Sequence, residues 1–447
     1  MLDRSRNALV STLVILFLWI LWSSCGGADS PRLVMISIDG LRPVEYTTPG
    51  PARIPVLRRL ARDGVWADGV EGVLPTVTYP SHTTLVTGVP PAAHGITHNR
   101  IVDPEGRADG AWYWYARDIK VPTLASAARA RGLSTAIVQW PVSVGLEVDD
   151  RVPEFWRSDH PESLSLLKAL SRPEDLLDDA ERARGAPLPW PLTDRARTDI
   201  AKHIVRRSRP VVMLVHLVEL DSAQHRRGPG SREAAEALER IDGYVGEILD
   251  ELRLANLLEG THVAVVSDHG FLPIERVLQP NAIFRREGLL QVDARGRVVS
   301  WEAYFHSDGG SGFVFVRRPD DRALVARVRD LLERLRADPQ AGVRTLWDRP
   351  ALARLGAEPE AQFALDVRDG FYTGGGHDTP LAGTTSRGGH GFGPDRPEMR
   401  AAFILAGPGV SRRGSLGVVR MTQIAPTLAD LLGVALSPQA DQPLDVR

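Results

Sequence analysis

Residues 74–88 have the sequence LPTVTYPSHTTLVTG, which contains the first candidate functional side chain. Pro80 is suited to the first turn of a helix, where its missing N–H costs no hydrogen bond. A helix that begins near Pro80 places Thr78 at its amino end, where free N–H groups and the helix dipole favour a developing negative charge. By itself such a threonine is typical of a helix cap. Its hydroxyl becomes a candidate nucleophile only if neighbouring groups help it to lose its proton.

Short apolar runs on both sides of this stretch predict buried strands. The clearest runs are residues 33–38, 211–218 and 263–267, and helical patterns lie between them. This alternation predicts an α/β fold whose central, mostly parallel sheet is flanked by helices. In open sheets of this kind, ligands bind beyond the carboxyl ends of the strands.

Three aspartates follow these runs, namely Asp39, Asp221 and Asp268. Carboxylates that meet at one edge of a sheet repel each other strongly unless cations lie between them. His225 follows Asp221 by one helical turn, and His269 directly follows Asp268, so imidazoles accompany two of the carboxylates. The sequence therefore predicts a metal site at this edge.

A further histidine of the glycine-rich segment 370–393 belongs to the same inventory of metal ligands. Two residues compete for this position, His377 and His390. Residue type and spacing leave both open.

Composition excludes some functions and indicates a location. The 447 residues carry a formal net charge of −2 without an extended basic block, so no nucleic-acid-binding surface is evident. Arg4 and Arg6 precede the apolar run 9–22, and the single cysteine, Cys25, follows that run. This layout predicts an exported protein in which residues 1–30 are a signal or lipoprotein leader. Ordinary cleavage, an uncleaved anchor and a lipid anchor at Cys25 all remain compatible with it.

Six motifs together carry a resemblance to a known family. In chain order they are IDGLR (38–42), PTVTYPSH (75–82), HGI (94–96) with Asn99, ELD (219–221) with His225, SDHG (267–270) and GHG (389–391). In this order they resemble the nucleotide pyrophosphatase/phosphodiesterase family of the alkaline phosphatase superfamily. The resemblance covers residues 31–435 and implies an alkaline phosphatase-like catalytic domain with a smaller cap or inserted subdomain. We expect an irregular, cap-like insertion at about 149–191 and a carboxyl-terminal tail at 436–447.

The resemblance implies two zinc ions, although these ligand types also suit manganese or iron. One ion would be held by Asp221, His225 and His390, where Gly-His-Gly matches the family and favours His390 over His377. The other ion would be held by Asp39, Asp268, His269 and the hydroxyl of Thr78. Thr78 would be the nucleophile and would form a phosphothreonine intermediate, and Asn99 would donate a hydrogen bond to a phosphoryl oxygen.

Three further residues are predicted to contact the substrate. Tyr79 lies beside the nucleophile, and Trp140 begins a Trp-Pro segment that resembles one lining the family's site. His216 stands five residues before Asp221, where nucleotide-cleaving members commonly have an aromatic residue. Gln224 is a second departure, because a glycine usually precedes the motif histidine.

The predicted activity is hydrolysis of phosphodiester or pyrophosphate bonds in a small molecule or nucleotide. A phosphomonoesterase or phosphonate hydrolase with the same metal core is one alternative, and a lipid-anchored binding protein without turnover is another. We expect the protein in a bacterial periplasm, anchored to a membrane by lipid, or secreted. The oligomeric state is left open.

Overall fold

The computed structural model describes residues 31–108, 110–155 and 162–447. The predicted leader, residues 1–30 with Cys25, lies outside the described residues, so export and lipid anchoring stay predictions. In the part of the chain that the structure describes, no helix is both long enough and apolar enough to cross a membrane.

Strands and helices alternate along the described chain. The strands are β1 (Arg32–Ile38), β2 (Val65–Trp66), β3 (Gly69–Glu71), β4 (Thr135–Val138), β5 (Asp150–Val152), β6 (Val212–Leu217), β7 (Thr261–Val266), β8 (Leu272–Leu278), β9 (Leu290–Val292), β10 (Val298–Trp301), β11 (Ala303–Ser307), β12 (Ser311–Val316), β13 (Val343–Asp348), β14 (Phe363–Val367), β15 (Gly370–Thr373), β16 (Leu381–Gly383), β17 (Gly388–Gly389), β18 (Phe403–Ala406), β19 (Gly414–Ser415) and β20 (Val418–Arg420). The α-helices are α1 (Val44–Thr47), α2 (Pro55–Asp63), α3 (Thr78–Thr87), α4 (Pro91–His94), α5 (Leu124–Ala130), α6 (Ser163–Leu170), α7 (Leu176–Arg184), α8 (Asp194–Ser208), α9 (Glu219–Arg227), α10 (Arg232–Leu254), α11 (Pro280–Arg286), α12 (Arg322–Ala337), α13 (Arg349–Leu355) and α14 (Ile424–Leu432).

The central sheet has eight strands in the order β19-β2-β18-β7-β1-β6-β4-β5. Neighbouring strands are parallel from β7 through β1, β6 and β4 to β5, whereas β18 runs antiparallel to both β7 and β2. The predicted α/β fold with a mostly parallel sheet is therefore confirmed.

The register of this sheet brings the candidate ligands to one edge. Ser37 lies opposite His216 of β6 on one side and opposite Val266 of β7 on the other. Because the strands are parallel and in step, Asp39 and Asp268 leave the sheet at the same level. Helix α9, which carries Asp221, starts at the same edge, two residues after β6 ends.

Both faces of the sheet are covered by helices, which explains why its strands are apolar throughout. On β1, Val34 and Ile36 pack into a core built with α2, α8 and α10, whereas Leu33 and Met35 pack into a core built with α3, α5 and α14. The six strand residues Val212–Leu217 of β6 are all buried.

A second, antiparallel sheet forms the smaller subdomain. Its order is β11-β12-β14-β13, and helix α12 packs against it through a separate apolar core that includes Phe305, Val314, Leu331 and Phe363. Glycines let this sheet approach the loop after β17 closely: a Cβ on Gly310 would lie 2.1 Å from the Phe392 ring.

The segment 149–191 differs from the irregular insertion that we predicted. It supplies β5, an edge strand of the central sheet, and helices α6 and α7. Leu167 and Leu177 from these helices are buried in the same core as α8 and α10. Its mixed pattern of prolines and acids hid this regular structure, because packing against α8 supplies the stability that the local sequence lacks.

Candidate active site

Two strand ends and one helix carry the acidic residues of the site. Asp39 directly follows β1, and Asp268 lies two residues beyond β7. Asp221 and His225 lie one turn apart on α9, and their side chains face each other at 3.3 Å. The backbone N–H groups of Val218 and Glu219, at the start of α9, both donate to the buried carboxylate of Asp194 at 2.8–2.9 Å, which fixes the amino end of this helix.

One group of ligand atoms gathers around His269. Its Nε2 lies 3.4 Å from Asp39 Oδ1 and 3.1 Å from Asp268 Oδ2. All three side chains are buried. These separations match those of two atoms bound to one metal ion at about 2.0–2.2 Å.

The second group gathers around Asp221. Its Oδ1 lies 3.3 Å from His225 Nε2 and 3.8 Å from His390 Nε2. Asp221 also has an oxygen within 4.8 Å of ligand atoms of Asp39 and His269. It therefore stands between the two groups and joins them into one site.

Each histidine is oriented by its other ring nitrogen. The Nδ1 atoms of His225, His269 and His390 lie 3.0, 3.2 and 3.3 Å from the backbone oxygens of Gly388, Gly270 and Thr76. An Nδ1–H that donates to a carbonyl leaves Nε2 as the unprotonated nitrogen. All three Nε2 atoms then point their lone pairs at the carboxylates' side of the site, as metal ligation requires.

The buried polar atoms of this site fit bound cations. Within the described residues, Asp39 Oδ1, Asp221 Oδ1, Asp268 Oδ2 and His269 Nε2 have no hydrogen-bond partner although they are buried. Burial, followed by the charges of Asp268 and Asp221, raises the pKa of Asp39 to about 7. Gathering carboxylates out of water is unfavourable, and cations between them would offset that cost.

Thr78 stands at the start of α3, beside this site. The helix begins two residues earlier than predicted, at Thr78, with Val77 as its extended cap residue. Thr78 is also the one residue of the helix that is not buried. His82 Nδ1 lies 2.8 Å from the backbone oxygen of Thr78 and 3.6 Å from Asp268 Oδ2, so this histidine links the candidate nucleophile to a candidate metal ligand.

Asn99 is held with a defined orientation. Its Oδ1 accepts a hydrogen bond from the backbone N–H of Tyr79 at 2.8 Å. The donor is an N–H, so the acceptor must be the side-chain oxygen, and the Nδ2 donors point elsewhere. Asn99 is thus bound to Tyr79, the residue that follows the candidate nucleophile. The two N–H groups of its side chain can donate to a ligand.

Comparison with known proteins identifies the family. The family model described as type I phosphodiesterase / nucleotide pyrophosphatase matches residues 33–357 of the chain. The chain belongs to this family. The predicted family resemblance is thereby confirmed.

Curated members of the type I phosphodiesterase family are similar over about half of this chain. Human ectonucleotide pyrophosphatase/phosphodiesterase family member 1 is 28% identical over 258 residues, which cover 55% of this chain and 24% of that protein. Bis(5'-adenosyl)-triphosphatase enpp4 of Xenopus laevis is 26% identical over 265 residues, covering 55% of this chain and 49% of the relative. The chain thus spans between a quarter and a half of the length of these relatives.

Solved structures of the family share the fold. Human ectonucleotide pyrophosphatase/phosphodiesterase 5 superposes with a TM-score of 0.66 at 18% identity, covering 91% of this chain and 96% of that chain. The murine protein, as an inactive threonine-to-alanine variant in complex with AMP, gives a TM-score of 0.65 at 17% identity, with the same coverage of both chains. The alkaline phosphatase-like architecture is confirmed by these similarities.

Two of the predicted substrate contacts are buried in this family member. Tyr79 is fully buried and packs with Ile96, Val142 and the Trp112 ring, whose centroid lies 5.2 Å away. Trp140 is 3% exposed and meets the His82 ring edge-on at a centroid distance of 5.0 Å. Neither ring offers an open face for stacking on a substrate base.

His216, the third predicted substrate contact, lies beneath the candidate metal ligands. Its Nε2 is 3.0 Å from Asp39 Oδ2, and its Nδ1 is 3.5 Å from Glu154 Oε2. Burial lowers the pKa of His216, but the hydrogen bonds and charges of Asp39 and Glu154 outweigh it and raise that pKa to about 10. This histidine therefore supports a ligand instead of facing the open site.

The other departure from the family pattern, Gln224, also has a structural role. Its side-chain N–H donates to the backbone oxygen of Gly40 at 2.9 Å. Gly40 has a φ of +71°, and a Cβ there would meet both Gln224 and Phe271 at 2.9 Å. The amide thus holds the tight turn that follows Asp39, in which only glycine fits.

The rival histidine, His377, lies elsewhere. Its backbone oxygen faces Arg285, and its ring is 3.9 Å from Asp378. It belongs to neither of the two ligand groups, whereas His390 joins Asp221 and His225.

Sequence reasoning missed several residues that support the site. Asp194 caps a helix 25 residues further along the chain, so neither spacing nor a local motif announces it. Glu154 lies in a segment that we interpreted as an insertion. His82 is part of the PTVTYPSH motif. Its contacts with the Thr78 carbonyl and with Asp268 indicate a structural role for this side chain.

Proposed function

We propose that this chain is a metal-dependent hydrolase of phosphodiester or pyrophosphate bonds, with Thr78 as its nucleophile. One observation carries the proposal: buried, unpaired ligand atoms of three aspartates and His269 face one another beside the amino end of the helix that Thr78 begins. These particular atoms have no hydrogen-bond partner among the described residues and would gain partners from cations.

Two ions fit the two ligand groups. Asp221, His225 and His390 would hold one; Asp39, Asp268 and His269, completed by the Thr78 hydroxyl, would hold the other. Mixed carboxylate and imidazole ligands favour zinc, and manganese or iron are the alternatives. When bound, such ions lower the pKa of an alcohol and stabilise charge on entering and leaving oxygens.

The side chains of the chain then have defined tasks. Thr78 Oγ1 attacks phosphorus and its proton passes to solvent, the P–O bond to the leaving group breaks with its electron pair on the leaving oxygen, and a phosphothreonine forms. A water molecule next attacks phosphorus, the bond to Thr78 Oγ1 breaks, and the proton that the water releases regenerates the threonine hydroxyl. Asn99 donates from Nδ2 to a non-bridging phosphoryl oxygen in both steps. Two inversions give net retention at phosphorus.

Nucleotides are the proposed substrate class. Curated relatives include pyrophosphatase/phosphodiesterases and a bis(5'-adenosyl)-triphosphatase, and a solved family structure contains AMP. Among the described residues, the ion pairs of Asp39, Asp221 and Asp268 involve only histidines. A monoester would need an additional cation for its second negative charge, so a diester or pyrophosphate fits better.

The roles of Tyr79, Trp140 and His216 are proposed accordingly. Since all three are buried, we assign them to the wall behind the site, where they set its shape. His216 in addition orients Asp39 by its hydrogen bond.

The experiment compares the wild type with Thr78→Ala and Thr78→Ser on bis-p-nitrophenyl phosphate and p-nitrophenyl phosphate. We expect the wild type to cleave the diester faster than the monoester. Thr78→Ala should lower both rates by at least about 10³-fold, because the nucleophile is gone. Thr78→Ser keeps a hydroxyl and should retain measurable turnover. Metal content, measured by mass spectrometry of the purified proteins, verifies that the variants still fold around their ions.

Other outcomes would assign the site differently. Undiminished turnover by Thr78→Ala would refute the nucleophile. A faster monoester reaction would favour the phosphomonoesterase alternative. Metal-loaded protein that binds AMP but cleaves neither substrate would support a binding protein.

A further inference from the structure

A second buried cluster of charged side chains lies next to Asn99 and has no part in the steps above. His98 Nδ1 lies 2.7 Å from Asp308 Oδ2, and His98 Nε2 lies 3.3 Å from Glu358 Oε2. The Thr97 hydroxyl donates to the same Glu358 oxygen at 2.5 Å. All four side chains are buried. We call His98, Asp308 and Glu358 the histidine clamp.

The clamp joins three distant segments. His98 belongs to the loop after α4 in the large domain, Asp308 follows β11 in the smaller subdomain, and Glu358 follows α13. The ring of His98 also packs edge-on against Phe313 of β12 at a centroid distance of 5.0 Å. The loop that leads to Asn99 is therefore fastened to the second sheet at this point.

The distances favour a proton over a metal ion between these groups. His98, Asp308 and the neighbouring His306 could contribute one ligand atom each to an ion. Atoms bound to one zinc at about 2.0–2.1 Å with tetrahedral angles lie roughly 3.3 Å apart. The pairs around Asp221 and His269 lie between 3.1 and 3.8 Å, whereas His98 and Asp308 approach to 2.7 Å, the length of a charge-assisted hydrogen bond.

We propose that His98, held as an imidazolium between Asp308 and Glu358, is a positioning residue that fixes the backbone of Asn99 and so aims the Asn99 amide at the phosphoryl group. The proposal rests on the function proposed above for Asn99. The side chain and backbone oxygens of Asn99 already accept from the N–H groups of Tyr79 and Tyr113, at 2.8 and 3.1 Å. With both oxygens occupied, the direction of the free N–H groups depends on the backbone that His98 anchors.

Protonation of His98 agrees with its surroundings. Burial lowers the pKa of His98, but the charge and hydrogen bond of Asp308 and the nearby carboxylate of Glu358 outweigh it and raise that pKa to about 9. His306 faces the same ring at a centroid distance of 4.5 Å, and burial followed by the charge of His98 lowers the pKa of His306 to about 4, so it is neutral beside the imidazolium. The Arg100 guanidinium acts on His306 in the same direction.

The main experiment is a double-mutant cycle between His98→Gln and Asn99→Ala. Glutamine keeps a polar side chain but carries no charge and cannot bridge both carboxylates. We expect His98→Gln alone to lower kcat by about tenfold to 100-fold with a small change in KM, because a catalytic donor is misplaced. In the Asn99→Ala background the same substitution should cost less than about twofold. Equal losses in both backgrounds would overturn the proposal.

A remote histidine provides the control. His203 lies on α8, outside both sites, and its pKa is lowered chiefly by burial. His203→Gln should leave kcat unchanged, and a loss equal to that of His98→Gln would overturn the specific role of the clamp.

Two further measurements need no turnover, so they test the clamp even if the proposed hydrolase activity fails. The pKa of His98 is above the ordinary histidine value of 6.5, so its contribution to stability is complete below pH 6.5 and is lost as pH rises through about 9. The wild type should therefore lose more of its melting temperature between pH 7 and 10 than His98→Gln does; equal losses would overturn the proposal. The number of bound metal ions should be the same in both proteins, and one ion fewer in His98→Gln would overturn it in favour of a metal at His98, His306 and Asp308.

Discussion

His216 replaces the aromatic residue that is common at this position of the family motif. It contacts the carboxylate of Asp39, a candidate metal ligand. Its Nε2–H donates toward Asp39 Oδ2 at 3.0 Å, and Gln139 and Glu154 lie on its other side. A hydrogen bond of this kind holds the carboxylate that it contacts in one orientation. An aromatic hydrocarbon ring in the same place would leave that oxygen of Asp39 without this donor.

At the scale of this residue, His216→Phe should weaken metal binding by about 10–100-fold, the usual cost of losing a partner of a metal ligand. Competition with a chromophoric chelator measures the affinity. His262→Phe, in the buried strand β7 but away from the ligands, is the matched control and should bind metal as the wild type does. Unchanged affinity in His216→Phe would contradict the role that we assign to this side chain.

Helix α9 shows, at the scale of an element, that candidate metal ligands are held in place by side chains from other segments. It carries Asp221 and His225 one turn apart, and its first N–H groups are satisfied by Asp194 rather than by a residue of its own sequence. Asp194 is fully buried, so no water replaces its carboxylate if it is removed. The position of the candidate ligands Asp221 and His225 therefore depends on a side chain from α8.

Asp194→Ala should lower the free energy of unfolding by about 1–3 kcal/mol, because two partly buried N–H groups lose their acceptor. It should also weaken metal binding at the Asp221 group. The adjacent Thr193 is a matched control, since its hydroxyl caps α8 itself by accepting from the N–H of Ala196 at 3.3 Å. Thr193→Ala should cost about 1 kcal/mol without changing metal affinity. Urea denaturation measures the stability of both variants, and competition with a chelator measures their metal affinity. Equal effects of the two substitutions on metal affinity would contradict the role that we assign to Asp194.

Elements were predictable where the sequence pattern is local. The apolar runs 33–38, 211–218 and 263–267 became β1, β6 and β7 within two residues at each end. Parallel strands align their carboxyl ends, so the meeting of Asp39 and Asp268 followed from this pattern alone. The strand and helices of 149–191 did not follow, because tertiary packing stabilises them and their own period is weak.

The contacts that hold the site in place could not be predicted from local sequence patterns. His98 and Asp308 are 210 positions apart, and Asp194 acts on another helix. Each is an ordinary polar residue in its own segment. Only the three-dimensional arrangement brings its partner to it.

At the scale of the whole molecule, the candidate ligand groups combine residues from both halves of the sequence. Removing bound ions should leave three neighbouring aspartates, of which Asp39 and Asp268 are buried, without cations between them. Burial is the main cause that raises the pKa of Asp39 to about 7. Their mutual repulsion then lowers the free energy of unfolding of the whole domain.

Dialysis against a strong chelator should therefore lower the melting temperature and abolish diester hydrolysis, and added zinc should restore both. Calorimetry and the diester assay, on samples whose metal content has been measured, provide the check. A fully metal-free sample that melts and turns over as before would refute the metal site. The variant Thr78→Ala separates the two effects, since it should lose turnover but keep most of its stabilisation by zinc, because the six proposed carboxylate and imidazole ligands remain.

The candidate ligands extend from Asp39 to His390 of a 447-residue chain, and Asp221 stands between the two groups. During biosynthesis Asp39, Asp268 and His269 are all present once residue 269 has been added, whereas the group of Asp221, His225 and His390 stays incomplete until residue 390 has been added. A cation held by Asp221, His225 and His390 would therefore be acquired later in synthesis than one held by Asp39, Asp268 and His269. If the protein is exported as predicted, the metal available at this second group would be that of the compartment in which folding finishes.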